Sequence, residues 1–500
     1  GSRHVFFEPR RAPGTSANAS MDVKSGEGYV RFPSDVSETP SLGRRATARR
    51  LSLVSIESTP RSGVGVLGIV VLTFFNVSGG PWGSEDIISS SDPLTGICGI
   101  LLFTVCFCIP QILITAELTC ALPSNGGYAV WVREAFGDFW CFQVTYWQWA
   151  SGVADATVYP VLIGDTILQL LGYGDVGTLE KWSLRLLITI LLSLPAYMSM
   201  ARVPSLLSLL ALLSGLPIIG FIAYGLPSFD MAVLHARRKG GGINFTKFIN
   251  TLFWNLEGWD CISTCCADVR EPRNRTLALG LSGAMVMTTV QYVLVLLVAA
   301  GISHDWQHWS DGSLPSIGIS LAPCMGVLLF VGSIFGNVGQ YLSEFVEDSY
   351  LLQGAAEIGI VPRVLGKVWA AGTPYMANTA QLLIIVVMLT FDFDDILVFD
   401  NFLCATAMAL EMAAFFVLRQ YRPDLPRPFT TPKACMPLFV TAALVLALVW
   451  WHCLAGKAFL VNIMAVALGI PYGYWVAAKS KNERKNGCSR SAFDHLLEDE

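Results

Sequence analysis

Phe75-Asn76-Val77-Ser78-Gly79-Gly80-Pro81-Trp82-Gly83 interrupts a hydrophobic segment that starts near Gly63, and Trp254-Asn255-Leu256-Glu257-Gly258-Trp259-Asp260 interrupts another one five spans later. Backbone left unwound at membrane depth survives only beside a cavity or against buried protein, where something replaces the lost hydrogen bonds. A substrate can be that something, and paired breaks at matching places in two halves are the mark of a transporter.

The rest of the chain places these breaks in a bilayer. Of its 500 residues, 53% are hydrophobic and only 14% charged, with a mean hydropathy of +0.53, whereas a soluble domain carries about a quarter charged residues. Windows of about 19 residues predict an all-α integral membrane protein of about twelve transmembrane helices. They fall near 63–90, 93–119, 139–170, 182–200, 203–225, 245–263, 277–302, 318–343, 373–391, 396–418, 436–454 and 457–478. The breaks lie in the first and the sixth.

Residues 1–62 are rich in Ser, Arg, Pro and Gly with little apolar periodicity, and are expected to form a disordered tail. In it, Arg44-Arg45-Ala46-Thr47 and Arg49-Arg50-Leu51-Ser52 give hydroxyls the basic approach that phosphorylation uses. The transporter domain then covers 63–478, and 479–500 forms a second tail. With the amino terminus inside, the inner segments collect Arg133, Arg202, Arg270, Arg273, Arg275, Arg363, Lys367, Arg419, Arg422, Arg427 and Lys433. One outer loop, Arg237-Arg238-Lys239, dissents. The majority puts both termini in the cytosol, with the plasma membrane as the expected location and an internal membrane as the alternative.

The thirteen cysteines lie mostly inside spans, and Cys261, Cys265 and Cys266 lack the partners of a metal site, so they read as small packing residues with free thiols. The HExxH, P-loop and nucleophile-elbow motifs do not occur. The sequence thus points away from an enzyme, predicts neither metal nor cofactor, and has no feature directed at nucleic acid. The loop over residues 172–181 has no cysteine, so a disulfide-linked heavy chain is not expected.

What the spans do contain is acid: Glu85, Asp86, Glu117, Asp155, Asp165, Glu257, Asp260, Glu344, Glu347, Asp400 and Glu411, with scarce and terminal bases such as Arg185 and Lys247. A charge at a helix centre costs about 3 kcal/mol, so even four lipid-facing carboxylates would cost on the order of 10 kcal/mol. They must face inward, be protonated, or pair with something positive, and so few fixed cations invite a mobile one. Glu85, Asp86, Asp165 and Glu347 fit water interfaces, and Glu117 and Glu411 fit helix ends that they brace. Asp155 and Glu257 lie well inside their spans. Tyr159, four residues after Asp155, shares its helix face, and Trp254 and Trp259 flank Glu257. Such rings attract ammonium groups, whereas Trp147 and Trp149 read as packing.

Five stretches together resemble the amino acid, polyamine and organocation transporters, and within them the polyamine uptake branch of plants and protozoan parasites. They are the first break from Phe75 to Gly83, Pro123-Ser124-Asn125-Gly126-Gly127-Tyr128, Ser151-Gly152-Val153-Ala154-Asp155-Ala156 with Tyr159-Pro160, Asn250-Thr251-Leu252-Phe253-Trp254-Asn255 ending in Trp259-Asp260, and Leu418-Arg419 through Arg427-Pro428-Phe429. The resemblance implies a five-plus-five inverted repeat with broken helices one and six and two added helices. It also implies alternating access for one organic cation at a time, usually with proton coupling. By motif position it puts Asp155 and the segment holding Trp254, Asn255 and Asp260 on the polyamine path. Glu257-Gly258 departs from the plant pattern of an amide followed by an aromatic, so Glu257 rests on its chemistry, which suits a longer or more highly charged amine. Amino acid carriers of this superfamily grip the substrate carboxylate with N–H groups after the first-span glycines. Here Pro81 removes one such donor, while Gly79 and Gly80 keep theirs.

The expectation is a secondary active importer of polyamines such as putrescine and spermidine. The substrate bridges Asp155 and the second-break acids, its methylenes lie on Tyr159, Trp254 and Trp259, and carbonyls freed at both breaks, around Gly79 and Gly80, accept its N–H bonds. Asp155, Glu257 or Glu117 carries the coupling proton, since a buried acid can be neutral at rest. Sodium, with hydroxyls such as that of Ser333, is the alternative ion. Two other readings stay open: a carrier of arginine, lysine or ornithine, and a nutrient receptor of the same fold that binds without carrying.

Overall fold

The computed structural model describes residues 64–124, 126–172, 176–198, 203–238, 242–369, 372–454 and 458–485. Span one is Val66–Val77 (α1) and Glu85–Ser89 (α2) on either side of the first break. Span two is Pro93–Phe103 (α3) and Ile109–Ala121 (α4), joined by a π-helical turn at Thr104–Cys108. A short helix, Gly127–Phe136 (α5), precedes Asp138–Leu170 (α6), Thr178–Met198 (α7) and Val203–Gly225 (α8), which are spans three to five. Span six begins as Phe245–Leu256 (α9) and, past its break, continues in 3-10 turns over Cys261–Asp268. Arg273–Ile302 (α10) is span seven, and the short Ser313–Leu321 (α11) leads into span eight, Pro323–Glu357 (α12). Tyr375–Met388 (α13), Phe393–Tyr421 (α14) and Leu438–Cys453 (α15) follow, and span twelve is Ala458–Leu468 (α16) plus Ile470–Lys485 (α17).

Among the described residues there is no strand, only an isolated bridge between Val64 and Val269. Seven stretches of the described residues are long and apolar enough to cross a membrane by length and composition alone. On α8, Leu209, Leu212, Leu216 and Ile219 are all more than half exposed. Their spacing makes one apolar stripe, stable in lipid and costly in water. The tail expected over 1–62, with its basic phosphorylation motifs, lies outside the described residues, as do 486–500.

Glycine decides where spans one and six stop. Gly79 and Gly80 take φ of +52° and +142°, which residues with a Cβ disfavour, and the amides of Ser78 and Gly79 both return to the Phe74 carbonyl, at 2.9 and 2.8 Å. Gly258 takes φ of +85°, and a Cβ there would lie 2.3 Å from the carbonyl oxygen of Asn76. The two breaks therefore touch backbone to backbone. Helix α12 is shaped for the same approach: a Cβ at Gly336 would stand 2.6 Å from the Gly79 carbonyl oxygen, and one at Gly339 would stand 2.1 Å from the Phe75 ring.

The packing repeats with a shift of five spans. Span five lies on span eight as span ten lies on span three, and span one on span seven as span six on span two. Because each half has five crossings, the second starts from the opposite face, which makes the repeat inverted. The predicted span boundaries mostly hold, with one instructive exception. Span eight, expected at 318–343, begins at Pro323 and runs to Glu357. Glu344, Glu347 and Asp348 depress the hydropathy there although the helix continues through them.

One end of the bundle gathers fixed positive charge. Arg419 pairs with Glu117 through Nε at 2.8 Å, Arg427 approaches the same carboxylate at 3.4 Å, and the Thr431 amide donates to it at 2.7 Å. Arg422 ties Glu134 to Asp424, and its hydrogen bonds hold the exposed Asp424 carboxyl below the usual carboxylate range. At the other end, Arg237 pairs with Asp92 at 2.8 Å, and Arg238 donates to the Ser89 carbonyl at the end of α2. The arginines that dissent from the charge count thus sit against Asp92 and the carbonyl end of α2, where positive charge is favoured.

Candidate functional site

Three long helices and the second break each present a row of polar side chains to one chamber. On α6 the row is Gln148, Ser151, Gly152 and Asp155, spaced to share a face. On α12 it is Glu344, Glu347 and Asp348, and on α14 Asp400 and Cys404; Glu257, Asp260 and Cys261 come from span six, Asn76 from α1 and Tyr128 from α5. Gly152 allows the closest approach, since a Cβ there would sit 2.3 Å from an oxygen of Asp348. Seven of these fourteen lining residues are carboxylates, and none is Lys, Arg or His.

Neutral donors hold the carboxylates in place. Tyr159 Oη donates to Asp155 Oδ2 at 2.5 Å and Trp254 Nε1 to Asp155 Oδ1 at 2.7 Å. Gln148 Nε2 donates to both Asp260 Oδ2 and Glu411 Oε1, at 2.9 and 3.0 Å. Ser151 holds Asp400 at 2.5 Å, the Cys404 thiol Glu257 at 2.8 Å, Asn76 Glu347 at 3.0 Å, and Gln381 Asp348 at 3.1 Å. Asp260 Oδ1 and Asp400 Oδ2 are buried with no partner. Neutral hydrogen bonds orient such groups but do not cancel their mutual repulsion. Protons or mobile cations must do that. The chamber measures about 20 Å³, room for roughly one water, so its walls have to part before an organic cation fits.

The structure brings together some of the residues singled out from the sequence and not others. Asp155, Glu257 and Asp260 line the chamber, and Tyr159 and Trp254 bracket Asp155. Trp259 is fully buried with its Nε1 donating to the Leu256 carbonyl at 2.7 Å, and Asn255 returns its amide to Thr251 in its own helix at 2.8 Å. Neither lines the chamber, nor do Gly79 and Gly80.

At the first break, the carbonyls expected to be free are already taken. Ser214 donates to that of Gly79, Ser78 to that of Gly80 and Ser84 to that of Pro81. The amides of Gly79 and Gly80 are likewise spent, on Phe74 and on Ser78 Oγ. Glu117, the third candidate for the coupling proton, sits in its arginine pair away from the lining, as a brace. Glu411, expected as a brace, instead shares Gln148 with Asp260, and Glu347, expected at a water interface, is buried in the chamber.

Sequence reasoning missed Asp348 outright and did not place Glu344 or Asp400 in the site. The spacing of Glu344, Glu347 and Asp348, three and four apart, was the available signal, because it puts all three on one helix face.

Twelve spans, two of them broken and meeting beside a buried polar chamber, define a multi-pass membrane transporter. The chain belongs to the amino acid permease family, whose model matches residues 64–476. It is 32% identical to the polyamine transporter RMV1 of Arabidopsis thaliana, covering 81% of this chain and 84% of that protein. It is 33% identical to the polyamine transporter PUT1 of Oryza sativa subsp. japonica, covering 81% of this chain and 77% of that one. A weaker similarity, 22% identity over 66% of this chain and 74% of the other, is to the probable agmatine/putrescine antiporter AguD of Lactococcus lactis subsp. lactis.

Proposed function

We propose that this chain imports polyamines such as putrescine and spermidine by proton symport with alternating access. The observation that carries the reading is the chamber itself, lined by seven carboxylates and no fixed cation. Ammonium groups of the substrate supply the missing charge at Asp155, at the unpartnered oxygens of Asp260 and Asp400, and at the α12 acids. Methylenes lie along Trp254 and Tyr159, and Asp155 or Glu257 takes the coupling proton while the substrate is absent. The names carried by the plant relatives support the same substrate class. The plasma membrane with both termini cytosolic is the matching location, supported by the arginines gathered at one end of the bundle.

The family's description favours a second reading, a carrier of arginine, lysine or ornithine. Such a substrate needs donors for its carboxylate, and the amides of Gly79 and Gly80 are already committed.

Uptake of labelled putrescine and spermidine into proteoliposomes, with and without an inward proton gradient, tests the proposal. The wild type should accumulate both only with the gradient, and Asp155→Asn and Glu257→Gln should lose at least about tenfold in uptake. Full uptake by both variants removes the site assignment, accumulation independent of the gradient removes the coupling, and strong inhibition of spermidine uptake by arginine favours the second reading.

A further inference from the structure

A second acidic cluster lies one indole away from the chamber, and an ammonium already sits in it. Lys247 enters from the outer end of α9 with its side chain 32% exposed and places Nζ 2.7 Å from Asp86, whose side chain is fully buried. Asp394 and Asp311 also act on this ammonium. Asp311 in turn faces Asp86 and Glu85, and its Oδ1 is buried with no hydrogen-bond partner. Glu85 is 0% exposed; its Oε1 accepts from the Leu314 amide at 3.1 Å, and its Oε2 has no partner. One lysine thus answers four carboxylates.

Trp254 connects this cluster to the central site. Its Nε1 edge donates to Asp155. Its opposite edge lies against Gly83, where a Cβ would stand 2.7 Å from Trp254 Cζ3 and 3.9 Å from Asp311 Oδ1. Each edge of the indole therefore faces a carboxylate site, and the π face between them suits methylenes and cations.

We infer that Glu85, Asp86, Asp311 and Asp394 form an outer subsite for a primary alkylammonium, and that Lys247 is a tethered stand-in which an incoming ammonium displaces. The inference extends the polyamine reading by giving a di- or polyamine a second anchor on the way to Asp155. A tethered competitor reduces apparent affinity in proportion to the fraction of time the tether is away, so its removal tightens binding by roughly tenfold if Lys247 is home about nine-tenths of the time.

The test is thermal unfolding of the full-length protein in detergent with n-butylammonium chloride against equal sodium chloride, a readout that does not depend on what is transported. Lys247→Ala should be stabilised by n-butylammonium at concentrations that leave the wild type unmoved, and Asp155→Asn in that background should keep the response. Adding Asp86→Asn and Asp311→Asn should abolish it. Lys247→Met, which keeps the apolar stem, serves if the alanine variant does not fold. No response in either lysine variant, or a response that survives loss of both aspartates, overturns the subsite. Failure of polyamine uptake with the n-butylammonium response intact overturns only the substrate reading.

Discussion

Asp155 concentrates the logic of the site in one carboxylate. It lies mid-helix on α6 and is oriented by two neutral donors, one from its own helix and one from α9. Tyr159→Phe and Trp254→Phe each keep a ring and delete one donor. At about 1.5–3 kcal/mol per hydrogen bond to a charged group, each should raise KM for putrescine by at least roughly tenfold with little change in kcat, as initial uptake rates in proteoliposomes will show. The Asp155–Tyr159 pair was legible because four residues of regular helix fix their relation. Trp259 and Asn255 were not, because span six unwinds beside them and the helical period that would orient their side chains is lost. Asp155–Trp254 joins residues 99 apart in sequence, a contact that only the tertiary fold creates.

Among the elements, the breaks were readable in advance, since Gly-Gly-Pro and Glu-Gly inside apolar runs have few other meanings. Less readable was what the breaks do with their polar groups. Ser78 and Ser84 from the break itself and Ser214 from α8 satisfy the first break's carbonyls, so the unwound segment is shaped by the protein rather than held open for a ligand. Gly258→Ala tests that shaping. A methyl group at φ of +85°, pressed on the Asn76 carbonyl, costs on the order of 1–3 kcal/mol. The variant should melt at lower temperature in detergent and lose uptake, whereas Gly137→Ala, where a Cβ meets nothing within 4 Å, should keep uptake despite its own positive φ. Span eight shows the opposite limit of sequence reading. The acids that α12 presents to the chamber are the ones that made it look finished at residue 343.

At the scale of the molecule, fixed cations and acids are sorted by place: arginines brace the positive end, neutral donors hold the chamber. Glu117 belongs to the first group. Arg419→Ala leaves the buried Glu117 carboxylate with the longer Arg427 contact and the Thr431 amide and should cost about 3 kcal/mol. Adding Glu117→Gln should restore most of the melting temperature, and the double variant should still accumulate spermidine on a proton gradient. Loss of gradient-driven uptake in that restored protein would instead make Glu117 the proton carrier.

The touching glycine breaks have a mechanical consequence. Pieces of spans one and six that pivot at one shared point of contact cannot swing independently, so tilting one tips its counterpart, as on a seesaw. In the proposed alternating-access cycle, that contact would keep both doors from standing open together without a separate lever.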